Sequence, residues 1–190
     1  MRTFIAIPLS KEVKKQLADT QSRLKTLDAR ITWVNPKILH ITLEFLGDVD
    51  ATKIAEISTT IKTACQEVPP FELKLGKPTL IPNASRPRVI AASVTGNLNS
   101  FYDLQTLVQR TIQPLRLDSG QQKAPHITLG RIKGKFSLQA KQRFSQITQT
   151  TNFTSLKRVK VDKIVFMQST LTSAGPIYNP IAEIPLEKNR

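Results

Sequence analysis

"LHITLEFLG" (Leu39–Gly47) and "PHITLGRI" (Pro125–Ile132) share one tetrapeptide, His-Ile-Thr-Leu, and between them hold both of the chain's histidines, His40 and His126. Each stretch reads as a β-strand, rich in β-branched residues and bounded by turn formers. In a strand, side chains two apart point to one face. His40 and Thr42 therefore share a face, while Leu39, Ile41 and Leu43 share the other. His126 and Thr128 stand in the same relation to Ile127 and Leu129. The aliphatic face packs on a core, and the opposite face offers an imidazole and a hydroxyl. Strict alternation also sets Glu44 on the His40 face, further along the strand.

Working outward, the same frame appears twice. "TFIAIPL" reads as a first strand. Ser10 reads as a helix N-cap, with Val13, Leu17, Leu24 and Leu27 following at helical spacing. "ITWV" is a short strand, set off by the Asn35-Pro36 turn from the first motif strand. A helix is expected over residues 50–67, stopped by Pro69-Pro70. "FELKLG" and "VIAASVTG" are strands joined by a proline-rich loop, "PTLIPNASRPR". Helical period returns over residues 98–113, followed by the second motif strand. A weak helix over 138–147, two strands in "LKRVKVDKIVFMQSTL" and a closing strand in "PIYNPIAEIPL" complete the chain.

Strand, helix and motif strand thus recur: Ile5 precedes His40 by 35 positions, and Ile90 precedes His126 by 36. That period is too long for a solenoid repeat. It predicts two similar lobes facing each other across a pseudo-two-fold axis. No flexible linker separates them, so residues 1–190 are expected to form one α+β domain made of two lobes.

If the motif faces meet in a cleft, that cleft holds two imidazoles and two hydroxyls. Histidine titrates near neutrality, so one ring can be neutral while the other is protonated. The neutral ring takes a proton from water attacking phosphorus, and the charged ring gives one to the departing oxygen. The hydroxyls of Thr42 and Thr128 can donate to the non-bridging oxygens, where charge builds. Single strand histidines are mostly structural, but two in identical tetrapeptides at matching places are hard to read that way. As metal ligands, the two histidines lack an accompanying cysteine pair or carboxylate cluster, so no metal is expected.

The bulk composition agrees with an anionic substrate. The 190 residues carry 28 Lys and Arg against 14 Asp and Glu, a formal charge of +14. Such a field favours anionic partners: nucleic acid, nucleotides or an acidic membrane surface. Between Asp118 and Asp162 there is no acidic residue, yet Lys123, Arg131, Lys133, Lys135, Lys141, Arg143, Lys157, Arg158 and Lys160 fall there. This block reads as a guide for a phosphate-bearing polymer or as a solvated face. No apolar run reaches membrane-spanning length. The N-terminus lacks a long apolar segment and reads as a strand rather than a signal peptide. The single cysteine, Cys65, fits a reducing cytoplasm, the expected location.

On these motifs the sequence resembles the 2H phosphoesterases, and within them the RNA 2′,3′-cyclic phosphodiesterases, also called 2′-5′ RNA ligases. The resemblance extends to "MRTFIAI", "LHITLEFLGDV", "PRVI", "HITLGRIK" and "STLTSAGPIY". It implies two antiparallel sheets flanked by helices, with the active site in the central cleft. It further implies hydrolysis of a terminal RNA 2′,3′-cyclic phosphate to a 2′-phosphate, with a feeble reverse 2′-5′ ligation. Carried over residue by residue, His40 is the proton donor and His126 the acceptor, with no cofactor. Arg131 and Arg88 match recurrent basic positions in the family. By strict alternation Arg131 faces away from His126, and its contact with phosphate requires a bend at Gly130. Trp33 reads either as a base-stacking platform or as core. The expected partners are RNA with cyclic-phosphate ends, including tRNA fragments, or small cyclic nucleotides, acted on by a monomer away from membranes. The alternative is a module of the same fold that binds nucleotides or RNA ends without turnover.

Overall fold

Nine strands and four α-helices are placed by a computed structural model that describes residues 1–115, 124–151, 153, 158–173 and 175–187. In chain order they are β1 (Arg2–Pro8), α1 (Lys11–Leu24), β2 (Ile31–Trp33), β3 (His40–Asp48), α2 (Ile54–Cys65), β4 (Phe71–Ile81), β5 (Val89–Gly96), α3 (Leu98–Ile112), β6 (His126–Ile132), α4 (Leu138–Thr150), β7 (Arg158–Val161), β8 (Lys163–Thr172) and β9 (Gly175–Pro185). The helices begin where polar side chains can take up orphan backbone donors. Ser10, Asn97 and Ser137 accept from the amides of Val13, Ser100 and Ala140. Each such cap stabilises its helix by about 1 kcal/mol.

The strands form two antiparallel sheets, a first in the order β3-β1-β8-β9 and a second in the order β2-β6-β5-β4-β7. The expected pair of antiparallel sheets flanked by helices is what forms. Each motif strand lies beside the first strand of its own repeat, β3 on β1 and β6 on β5. β3 and β6 meet where the sheets adjoin, and β2 stitches the first half of the chain onto β6.

The alternation follows from burial. Ile5, Ile7, Ile41, Leu43, Ile90, Ala92, Ile127 and Leu129 are buried in one continuous apolar core. The helices cover these faces in a crossed arrangement: α1 lies beside α4, and α3 beside α2 and β3. α1 follows a strand of the first sheet yet reaches β6 of the second, and α3 follows a strand of the second yet reaches β3 of the first.

Two features differ from the sequence reading. β4 runs through Pro78 to Ile81, where a loop is expected. A bulge between Leu75 and Pro78 lets the proline, which has no amide proton, sit in the strand. The described members of the basic block are spread over several elements. Lys141 and Arg143 lie on α4, while Arg158 and Lys160 lie on β7 at the far edge of the second sheet. Lys123 and Lys157 lie outside the described residues.

Candidate active site

Both motif strands break the period of two at the same place. In the β1–β3 ladder Ala6 pairs with Thr42 and Ile5 with Glu44, so Leu43 is an extra residue. In the β5–β6 ladder Ala91 pairs with Thr128 and Ile90 with Gly130, so Leu129 is extra. A bulge of this kind reverses the faces of everything beyond it. His40, Thr42 and Phe45 therefore share the cleft face of β3, and His126, Thr128 and Arg131 share that of β6. The bend that Arg131 requires is this bulge, one residue earlier than Gly130. Arg131 is exposed, and its charge acts on Tyr178 of the opposite sheet. The same device corrects Glu44. It turns inward, 4% exposed, and accepts a hydrogen bond from Gln109 Nε2 instead of facing the cleft with His40.

The imidazoles are held alike. His40 Nδ1 is 2.8 Å from the Ile38 carbonyl oxygen, and His126 Nδ1 is 3.1 Å from that of Ala124. A carbonyl only accepts, so each Nδ1 carries the proton. Nε2 is left on each ring as the nitrogen that gains and loses a proton. Thr42 Oγ1 lies 3.2 Å from His40 Nε2. Beside the threonines the neighbouring strands place Ala6 and Ala91, small residues that leave room next to the hydroxyls.

Around the rings the halves differ. His40 packs on Phe4, centroids 5.0 Å apart, and meets Tyr178 edge-on at 5.4 Å. This burial holds the imidazole below the ordinary histidine range. The hydrogen bond to Ile38 opposes the effect, and the positive charge of Lys14 adds to it. Tyr178 is itself pushed up by burial, against the pull of Arg131 and Arg2. Next to His126, at the matching register, stands Ser93. Phe4 and Tyr178 are not legible as site residues in the sequence, because only the pairing of β1, β8 and β9 brings them to His40.

The remaining expected positions fall as follows. Arg88 is exposed just before β5. Alternation from Val89, which pairs with Arg131, sets it on the opposite face with Ile90. Trp33 pairs with Gly130 and packs against the core, its ring 3.0 Å from where a Cβ on Gly130 would lie. Trp33 is thus half-buried against the core, as the core reading has it. Among the described residues no three His, Cys, Asp or Glu side chains converge as a metal would require. Cys65 is buried, and its thiol is pushed up to about 11 by burial.

Twin strands that each present an imidazole and a hydroxyl where two antiparallel sheets meet define a two-histidine phosphoesterase. Residues 7–91 match the family model described as LigT like Phosphoesterase. An RNA 2′,3′-cyclic phosphodiesterase of Thermotoga maritima is 30% identical over 187 residues, covering 98% of this chain and 96% of that protein. One of Methanothermobacter thermautotrophicus is 28% identical, covering 94% and 95%. The chain belongs to the LigT-like phosphoesterase family. Its fold is shared with TT0787 of Thermus thermophilus, at a TM-score of 0.81 and 23% identity over all of both chains. It is also shared with E. coli LigT complexed with 3′-AMP, at 0.72 and 21% over 97% and 96% of the two chains. Among the described residues no helix is long and apolar enough to cross a membrane.

Proposed function

We propose that the protein hydrolyses the 2′,3′-cyclic phosphate at an RNA end to a 2′-phosphomonoester. The observation that carries the reading is the repeated pair. Two imidazoles have Nδ1 tied to the carbonyl two residues back. Each shares a strand face with a threonine hydroxyl. Water attacks phosphorus while His126 Nε2 takes its proton. The P–O3′ bond breaks as His40 Nε2–H protonates O3′. A 3′-hydroxyl and a 2′-phosphate result, and the two rings exchange their extra proton with solvent before the next turn. The Thr42 and Thr128 hydroxyls and the Arg131 guanidinium donate to the non-bridging oxygens, on which charge accumulates. With an RNA 5′-hydroxyl in place of water, the same proton transfers join it to a 2′,3′-cyclic end: P–O3′ breaks, O2′ keeps the phosphorus and a 2′-5′ bond forms.

His40 must hold a proton to serve as donor, and its burial works against that in the free protein. A phosphodiester anion beside Nε2 favours the imidazolium and offsets the burial. Substrate binding thereby arms the donor.

The test is turnover of a nucleoside 2′,3′-cyclic phosphate, with the product isomer read by ³¹P NMR and EDTA present in a parallel assay. A 2′-phosphate formed at the same rate with chelator is expected. Binding without turnover would make the protein a holder of nucleotide ends, and a 3′-phosphate product would exclude protonation of O3′ by His40.

A further inference from the structure

Two buried glutamines are used by none of the steps above. Gln21 lies in the apolar stripe of α1 and Gln105 in that of α3. Gln21 Nε2 donates to the Leu129 carbonyl at 2.8 Å and to the Val34 carbonyl at 2.8 Å. Gln105 Nε2 donates to the Leu43 carbonyl at 2.8 Å. Leu43 and Leu129 are the fourth residues of the two His-Ile-Thr-Leu motifs and the extra residues of the two bulges.

We infer that Gln21 and Gln105 are positioning residues for the two halves of the active site, each reaching from a helix of one repeat to brace the bulge of the other repeat's motif strand. Any buried amide must find a partner, so one such bond would mean little. Here two bonds link equivalent residues of both repeats, and both cross between repeats. The mechanical reason lies in the bulge. An extra residue in a ladder can relax or migrate unless its freed carbonyl is held, and a shift of one residue reverses the faces beyond it. Gln21 fixes the carbonyl two residues before Arg131 and one after Thr128. Gln105 fixes the corresponding point behind Thr42 and His40. Gln105 Oε1 has no hydrogen-bond partner among the described residues. That side chain therefore spends its amide on the bulge while its own acceptor stays unmet.

The inference rests on the phosphodiesterase reading for its kinetic readout but not for its spectroscopic one. Gln21→Met and Gln105→Met keep an unbranched chain of similar length and remove the donor. Each is expected to lower kcat/KM on a nucleoside 2′,3′-cyclic phosphate by about 10–100-fold, the scale of a displaced catalytic group. The imidazole NMR signals should respond in crossed fashion: Gln21→Met moves those of His126 and leaves His40 in place, and Gln105→Met does the reverse. In an Arg131→Ala background Gln21→Met should add little, whereas Gln105→Met should keep its full factor. Imidazole signals that stay put, with turnover within about twofold of wild type, would overturn the brace. So would equal movement of both histidines in either variant, which is general loosening. If neither variant folds, wild-type protein decides. Inorganic phosphate titrated into the cleft should shift the Gln21 and Gln105 side-chain amide signals, and unmoved amides overturn the brace. Should wild type prove inactive on cyclic phosphate, the phosphodiesterase reading fails, and the imidazole signals alone judge the brace.

Discussion

At the position that each bulge turns into the cleft, the first repeat carries Phe45 and the second carries Arg131. The contrast extends around each histidine. Phe4 and Tyr178 enclose His40. Ser93 shares the row of His126, and the same face of the sheet continues to the exposed Lys74. One backbone device, used twice, has been given an aromatic wall on one side and a cationic wall on the other. The duplicated sites are alike in how they hold an imidazole and unlike in what they add to it.

The sharpest way to break this comparison is to remove the rings. His40→Ala and His126→Ala are each expected to lower turnover of a nucleoside 2′,3′-cyclic phosphate by about 10²–10⁴-fold. Steady-state kinetics on the folded variants would read this. Near-wild-type rates in either one would mean that only one half is chemical. Next come the residues beyond the bulges. Arg131→Ala should cost about 10–100-fold, chiefly in kcat, as a charge-assisted hydrogen bond to developing charge is lost. Phe45→Ala should instead raise KM, by about fivefold or more if a base stacks there, and leave kcat alone. If both variants changed the same constant, the two walls would not differ in kind.

A smaller effect concerns the proton. Burial between Phe4 and Tyr178 disfavours the charged form of His40. Opening that side with Tyr178→Ala should move the His40 titration upward, toward the ordinary histidine range. An NMR pH titration would show it, and a downward move would reverse the sign argued here. For a donor that must be protonated, the same logic sets the alkaline limb of kcat/KM below that of kcat, because bound phosphodiester raises His40. Coincident limbs would deny that the substrate arms it. The smallest effect is electrostatic. Lys74→Ala should flatten the salt dependence of RNA-end binding by about 0.7 in slope for each phosphate no longer neutralised. Hydrolysis of a mononucleotide should be nearly unchanged, and an unaltered slope would make that face mere solvated surface.

Much of this was open to inspection in the chain. The twin tetrapeptides, the matched spacing to "FIAI" and "VIAAS", and the helical stripes between them describe the two halves before any fold is known. Alternation failed at the matching point in each half. A bulge is a property of two strands, and nothing in "HITLEF" or "HITLGR" alone says that Ile5 and Ile90 will skip a partner. That omission misplaced Glu44 and made Arg131 seem to need a bend elsewhere. Trp33 stayed ambiguous for a similar reason: its fate depends on the bare face of Gly130, roughly a hundred residues away. The glutamines did leave a trace. Gln21 stands four residues beyond Leu17 in the buried stripe of α1, and Gln105 adjoins Leu104 in that of α3. A polar residue at a core position asks for a partner, but the partner's identity was written in the other repeat.

The crossed helices also bear on how the chain acquires its activity in time. The bond from Gln21 to Leu129 spans 108 residues, and that from Gln105 to Leu43 spans 62. Closing so long a loop costs entropy before any contact repays it, so such links form late. Neither half can mature alone, since each waits for the other's helix. Secondary structure will therefore return ahead of enzymatic competence when the unfolded chain is diluted from denaturant. A ribosome must have released α3 before the bulge behind His40 is braced, and β9 before Tyr178 meets the ring.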